Sequence, residues 1–311
     1  LGSDPPAPFV GQVWYNTGSN TLKYFSVTPA SWATGGNLGS ARYAMGSAGT
    51  QTSSLSFGGE SPRTNATEEY NGTSWTNGGN MGTTRSALSG AGTQTAALGF
   101  GGMQPVVNAT EEYNGSSWTG GGNLTTPKAQ AAGAGLQTAA LSFGGYQNPG
   151  NLVATEEYNG TAWTNGGNMS TARIALGGAG TQTAALGFGG SSQPNLTPLA
   201  ITEEYNGSSW TNGGNLNTSR LYLAGAGTQT AAIGMAGYIA YSQHISATEL
   251  YDGSSWTNTA SVSSGRSKDG GCGTSSAAIA FGGKQGGSPN TSAATEEFTG
   301  GQPATFTVGT D

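Results

Sequence analysis

Six tryptophans set a ruler along the chain. Trp32, Trp75, Trp118, Trp163, Trp210 and Trp256 are each followed ten residues later by a basic residue: Arg42, Arg85, Lys128, Arg173, Arg220 and Arg266. Sixteen residues further on stand Gly58, Gly101, Gly144, Gly189, Ala236 and Gly282. The next step, to Tyr70, Tyr113, Tyr158, Tyr205, Tyr251 and Phe298, takes 12, 12, 14, 16, 15 and 16 residues, and the step from each Tyr to its Trp is again constant at five. All length variation therefore falls in one loop per unit. A period of 43 to 47 residues marks a repeat architecture, in which one unit cannot bury its apolar face alone and its neighbours do so.

Each unit reads as short strands. "RSALSGAG" and "TQTAALGFGG" are two runs joined by a Gly-rich turn, "ATEEYNG" alternates with period two, and "SSWTNGG" ends in turn residues. Composition agrees: 56 of the 311 residues are Gly and only 8% are charged, which suits tight turns and strands rather than helical bundles. Ala and Gly crowd the first two strands of each unit, as expected where sheets converge on an axis, and Tyr and Trp are suited to the wider spaces between sheets. Four strands at this period are the pattern of a propeller blade.

The order Arg, Gly-Gly closing the second strand, Tyr, then Trp resembles the kelch repeat, over about residues 32 to 300. The resemblance implies an all-β, six-bladed kelch-like β-propeller over 29–300. Two units depart from it: the fifth has "MAGY" in place of Gly-Gly, and the sixth has "EEF" with no Trp five residues on. The missing strand is expected from residues 29–36, so that the Trp32 strand closes the ring and removes exposed sheet edges. Residues 1–28 are expected to form an N-terminal hairpin or attachment segment and 301–311 a C-terminal strand or linker. The alternative is seven blades, with one irregular blade built from "GQVWYNTGSNTLKYF" and "ATFTVGT". The stretch "FVGQVWYNTGSNTLKYF" also resembles a module of bacteriophage tail fibres and related virion proteins, which implies a virion or extracellular setting and a homo-oligomer.

The carboxylates recur as pairs, of which Glu68, Glu111, Glu156, Glu203, Glu249 and Glu296 hold one repeat seat. Six equal copies argue against acid/base catalysis, which needs a few unlike residues converging. The structural reading pairs these glutamates with the six basic residues of the ruler. The rival is a basic ring at a channel mouth holding an acidic sugar, as in sialidases. One histidine, His244, and one cysteine, Cys272, cannot supply a zinc or copper centre, so no metal, no cofactor and no enzymatic activity are expected. The sequons "NAT", "NGT" and "NGS" recur with the unit and read as turns. A net charge of −6 makes nucleic acid an unsuitable partner, and no apolar run approaches a membrane span, so no membrane insertion is expected.

Function is expected in the unequal loops, which alone vary on a rigid frame. Tyr146, Gln147 and Asn148, then Gln193 and Asn195, then Tyr238, Tyr241, Gln243 and His244 offer aromatic faces and amides of the kind that bind sugars. The reading is a non-enzymatic tail-fibre-like adhesin whose partners are a host-surface glycan or receptor and other virion proteins. The alternatives are a decoration or fibre subunit binding only virion proteins, and a sialidase-like hydrolase.

Overall fold

The computed structural model describes residues 1–103, 105–192, 196–239, 243–287 and 290–308. Among these residues there is no helix, and the largest units are six four-stranded antiparallel sheets. Sheet one runs Gly46–Thr50, Ser53–Phe57, Thr67–Tyr70, Trp75–Asn77. Sheets two to five follow the same order and begin with Ser89–Gly92, Ala132–Leu136, Gly177–Gly180 and Ala224–Thr228. Sheet six takes Gly270–Gly273, Ala277–Phe281 and Thr295–Thr299 from one end of the chain and Ser31–Thr34 from the other, with Trp32 opposite Phe298. A repeated, propeller-like all-β architecture results.

The first strands pack side by side in chain order, and Gly270–Gly273 of sheet six lies against Gly46–Thr50 of sheet one. Small residues are required there. A Cβ on Gly133 would lie 2.4 Å from the carbonyl oxygen of Gly90 in the neighbouring sheet, closer than any side-chain carbon tolerates.

Toward the periphery the space between sheets widens and aromatic rings fill it. The Phe ending a second strand meets the Trp of the following sheet at 4.7 to 4.9 Å between centroids: Phe57 on Trp118, Phe100 on Trp163, Phe143 on Trp210, Phe188 on Trp256 and Phe281 on Trp75. Such tilted pairs add about 0.5–1.5 kcal/mol each beyond the area they bury.

Hydrogen bonds then tie each sheet to the one before it. Tyr158 donates to Glu112 (2.5 Å), Tyr205 to Glu157 (2.6 Å), Tyr251 to Glu204 (2.5 Å) and Tyr70 to Glu297 (2.6 Å), and Tyr113 bonds Glu69 in the same way. Burial first and the adjacent carboxylate second push these phenols up to about 12. Gln94 reaches back to two carbonyl oxygens of sheet one, those of Ser54 and Tyr70, at 2.9 and 2.6 Å. Gln51, Gln137, Gln182 and Gln229 make the equivalent pairs.

The seam between sheets five and six is built differently. Leu250 holds the seat of the accepting glutamate, Phe298 that of the tyrosine, Ser275 that of the glutamine, and Met235 that of the phenylalanine. The indole of Trp32 donates to the Ala260 carbonyl instead of to a threonine hydroxyl, and the buried Thr248 hydroxyl has no partner among the described residues. Apolar packing replaces the polar clasp: Met235, Phe298 and Val262 form one cluster with Trp32 and Leu250.

The segments at the two ends of the chain make a separate three-stranded sheet of Val13–Asn16, Thr21–Val27 and Pro303–Thr307. Two segments that are separate in sequence are thus one unit. Among the described residues, this sheet and its flanks carry nine of the eleven exposed large apolar side chains, including Val13, Tyr15, Leu22 and Val27.

Candidate functional site

Each repeat cation is paired with a carboxylate of its own sheet. Arg42 meets Glu68 at 3.0 Å, Arg85 meets Glu111 at 2.9 Å, Lys128 meets Glu156 at 2.9 Å, and Arg173 and Arg220 meet Glu203 and Glu249 at 3.1 Å each. Arg266 pairs with Glu296 in the same way. Arg173 shows the full arrangement, donating also to the carbonyl oxygens of Gly189 (2.8 Å), Ile201 (2.7 Å) and Gly187 (3.2 Å). The second oxygen of Glu203 accepts the Ser170 amide at 2.7 Å, so the pair fixes the connector entering each sheet. Burial holds Arg173 down at about 10, opposed by Glu203. These six cations are buried and each is paired with a carboxylate, so none turns its charge toward a ligand, although the Nε of each arginine meets no hydrogen-bond acceptor among the described residues.

The face with the unequal loops is set by the register. In sheet one Gly46 opposes Phe57 and Phe57 opposes Thr67, so the start of the first strand, the end of the second and the loop 58–66 share one face. Two residues after each repeat cation, Ala44, Ala87, Gln130, Ala175, Tyr222 and Lys268 all sit at φ of 53 to 55°, a left-handed conformation that costs a non-glycine residue roughly 1–2 kcal/mol. A closed circuit of backbone bonds holds them there. Each amide in that order donates to the preceding carbonyl at 2.7 to 2.9 Å, and Ala44 donates to Lys268. The circuit surrounds the axis at the mouth of the loop face.

Below it lie Met45, Leu88, Ala131, Leu176, Leu223 and Asp269, and together the two tiers line a cavity of about 130 Å³. Beside the circuit, Tyr43, Ser86, Ala129, Ile174 and Leu221 are bridged to the first residues of five unequal loops, Glu60, Met103, Tyr146, Ser191 and Tyr238, and Ser267 pairs with Lys284 of the sixth. Here the units stop being alike.

Polar and aromatic groups concentrate on one side of this mouth. The Lys268 ammonium lies 4.3 Å from the Tyr222 ring centroid and 5.6 Å from that of Tyr43, and Lys284 lies 5.8 Å from Tyr43. Tyr222 donates to Gln130 at 3.2 Å, joining sheets five and three. Burial and then Lys284 hold Lys268 below its usual value, with Glu60 opposing. Burial, Lys284 and Lys268 likewise lower His244, whose Nδ1 shares a 3.0 Å hydrogen bond with Ser267. Glu60 accepts from Ser86 at 2.7 Å and pairs with Arg63 at 3.3 Å.

Asp269 is the exception in its tier. Both carboxylate oxygens are buried, and among the described residues neither meets a donor from another residue, only the backbone amide of Asp269 itself lowering the carboxyl. Burial is the main cause that raises this carboxyl to about 7, against the pull of Arg266 and Arg220 and with the push of Glu296.

Of the loop residues singled out from sequence, Tyr146 and Gln147 lie on a small hairpin with Gly150–Asn151, with Asn148 exposed at its tip. Tyr238 pairs with His244, ring to ring at 5.4 Å, on a hairpin that includes Gln243. Tyr146 and Tyr238 are brought to one apolar patch around Ile174 and Leu221. Gln193, Asn195 and Tyr241 lie outside the described residues. Sequence reasoning passed over Gln130, Tyr222, Lys268, Lys284 and Asp269. The signal was in the register: beside Arg seats that barely change, the two positions after them read Tyr-Ala, Ser-Ala, Ala-Gln, Ile-Ala, Leu-Tyr and Ser-Lys.

Cys272 is buried beside the Ser54 hydroxyl at 3.2 Å, and burial pushes its thiol up to about 12, which makes it unreactive. Among the described residues no three His, Cys, Asp or Glu side chains are grouped to hold a metal, and no helix is long and apolar enough to cross a membrane. The Asn-Gly sites act as turns: Asn71, Asn114, Asn159 and Asn206 each accept two following backbone amides. No protein-family model matches the chain, and no curated protein matches it as a relative.

Proposed function

We propose that the chain is a six-bladed kelch-like β-propeller with the terminal sheet as its attachment, serving as a non-enzymatic component of a phage-like virion appendage that binds a host-surface glycan or protein. One observation carries this reading: residues that differ from unit to unit gather on the loop face and around its axial mouth, whereas those that build the frame repeat. Recognition needs unlike groups on a rigid support, and loops on a scaffold supply them. The engagement of all six repeat cations with carboxylates supports a binding role over a sialidase-like one.

The competing reading, a subunit that binds only other virion proteins, draws on the apolar side chains exposed on the terminal sheet. A glycan array and a panel of bacterial envelope fractions, probed with the labelled chain, separate the two. Saturable binding to a glycan or an envelope fraction is expected. Binding to none, with retention by particle proteins alone, would favour the structural subunit. Turnover of a fluorogenic sialoside by the intact chain would favour the hydrolase.

A further inference from the structure

Ten basic residues are present, and eight are committed to carboxylates: the six of the repeat, Lys23 with Asp4, and Arg63 with Glu60. Among the described residues the other two, Lys268 and Lys284, make no ion pair, and both ammonium groups sit over the Tyr43 ring at the axial mouth. An acidic protein has placed its two uncommitted cations together, beside a cavity.

We propose that the axial mouth is a binding site for a carboxylate-bearing sugar residue, such as a uronic acid unit of a surface polysaccharide, with Lys268 and Lys284 meeting the carboxylate and Tyr222 and Gln130 meeting the ring. The site rests on the attachment reading above only for the origin of its ligand. The volume of about 130 Å³ is close to that of the apolar cavity of about 150 Å³ that takes up benzene, so the mouth admits part of one pyranose ring while its hydroxyls and carboxylate stay at the open rim. Tyrosine rings offer flat faces to sugar C–H groups, and Gln130 offers an amide to hydroxyls. A free phosphate is served less well. The six backbone amides around the mouth already donate to one another, so there is no nest of N–H groups, and no guanidinium is free to grip a phosphate bidentately. Two carboxyl groups already stand at the mouth: Glu60 is held by Arg63 and Ser86, and Asp269, in the tier below, is raised to about 7 by burial, so binding of an anionic sugar weakens as pH rises past neutrality.

Isothermal titration of the whole chain with glucuronate, glucose and inorganic phosphate tests the assignment. Glucuronate binds one per chain, and glucose and phosphate bind at least about tenfold more weakly, the scale of one charge-assisted contact. Lys268→Met and Lys284→Met each weaken glucuronate about tenfold and leave glucose unchanged, Lys268→Arg retains most of the affinity, and Lys23→Met has no effect. Lys284 lies at the rim, so its variant reads the site even if replacing Lys268 perturbs folding. Equal binding of glucuronate and glucose, stronger binding of phosphate, or no change in the Lys284 variant overturns the site. Envelope binding is scored in parallel. Its persistence in the double Lys→Met variant removes this site and leaves the loop reading intact, whereas glucuronate binding without envelope binding keeps the site and removes the attachment role.

Discussion

Asp269 should make the protein less stable as pH rises from about 4 to about 7, the opposite of what carboxylates usually do. Its carboxyl titrates at about 7 in the folded chain against 3.8 unfolded. Between those values the folded state holds a proton that the unfolded state has lost, so stability falls with rising pH, by about 1.4 kcal/mol per unit. The contribution is complete below 3.8 and gone above about 7, a total of about 4 kcal/mol. Other groups titrate too, so the quantity to measure is a difference, the urea-unfolding free energy of Asp269→Asn minus that of the wild type, from pH 4 to pH 8. Any fixed cost of the amide shifts that difference without tilting it. It should climb by about 4 kcal/mol across the range. A flat difference would mean that the carboxylate is ionised in the fold and paired with Arg220 or Arg266, and the reasoning would be wrong. A second variant follows from packing. In sheets two, four and five the side chain of this seat reaches the glycine of the preceding sheet: Leu88 lies 3.0 Å from a Cβ built on Gly58, and Leu176 and Leu223 lie 3.1 Å from those on Gly144 and Gly189. At the corresponding place before Asp269 the chain has Ala236. Asp269→Leu should therefore be tolerated with Ala236→Gly and strained without it, as a double-mutant cycle would show.

Two further outcomes are expected from the frame. Arg173→Met should cost about 3–5 kcal/mol in urea unfolding, because Glu203 is left buried without its cation, and adding Glu203→Gln should recover part of that loss; additive costs would contradict a coupled pair. At the seam between sheets five and six, Leu250→Glu and Phe298→Tyr should each destabilise alone, while together they should show a favourable coupling of about 1 kcal/mol as the clasp of the other seams is restored; zero coupling would mean that the two seats do not meet.

The frame was legible because its seats recur at fixed spacing, and recurrence is a physical statement about equal surroundings. The pairing of Ser31–Thr34 with Thr295–Thr299 could be read from one unit lacking a Trp and one Trp lacking a unit. The hydrogen-bonded circuit at the mouth left no such trace. Its left-handed residues include Ala44, Gln130, Tyr222 and Lys268, none of which signals positive φ as glycine would, and the bonds that hold them join residues 43 to 47 apart in five cases and close the ring between the chain's two ends in the sixth. The joining of 13–27 with 303–307 was legible only as two strand-like segments grouped in the alternative of a seventh irregular blade, since strand pairing across the full chain length has no local signature. The loop residues were chosen for their chemistry, yet Tyr146 and Tyr238 turn out half-buried on hairpins against Ile174 and Leu221. A side chain used to seat a loop presents only its remaining edge to a ligand.

Apart from Lys128 and Ala131 in the third unit, the departures from the repeat concentrate in two sheets. Leu250, Phe298, Ser275, Met235, Ala236 and Asp269 all belong to the fifth and sixth sheets, and so do Tyr222, Lys268 and Lys284 at the mouth. A ring of equal sheets has equal seams, and equal seams present the same groups to the axis from every side. To gather two ammonium ions and a tyrosine on one side, the chain must break that equality somewhere. The seam that includes the strand from the N-terminal end bears the change, where apolar packing takes the place of the polar clasp and the Thr248 hydroxyl is left buried without a partner among the described residues. The asymmetry in packing and the asymmetry in chemistry have one origin: a repeated frame can present a single site only where its repetition fails.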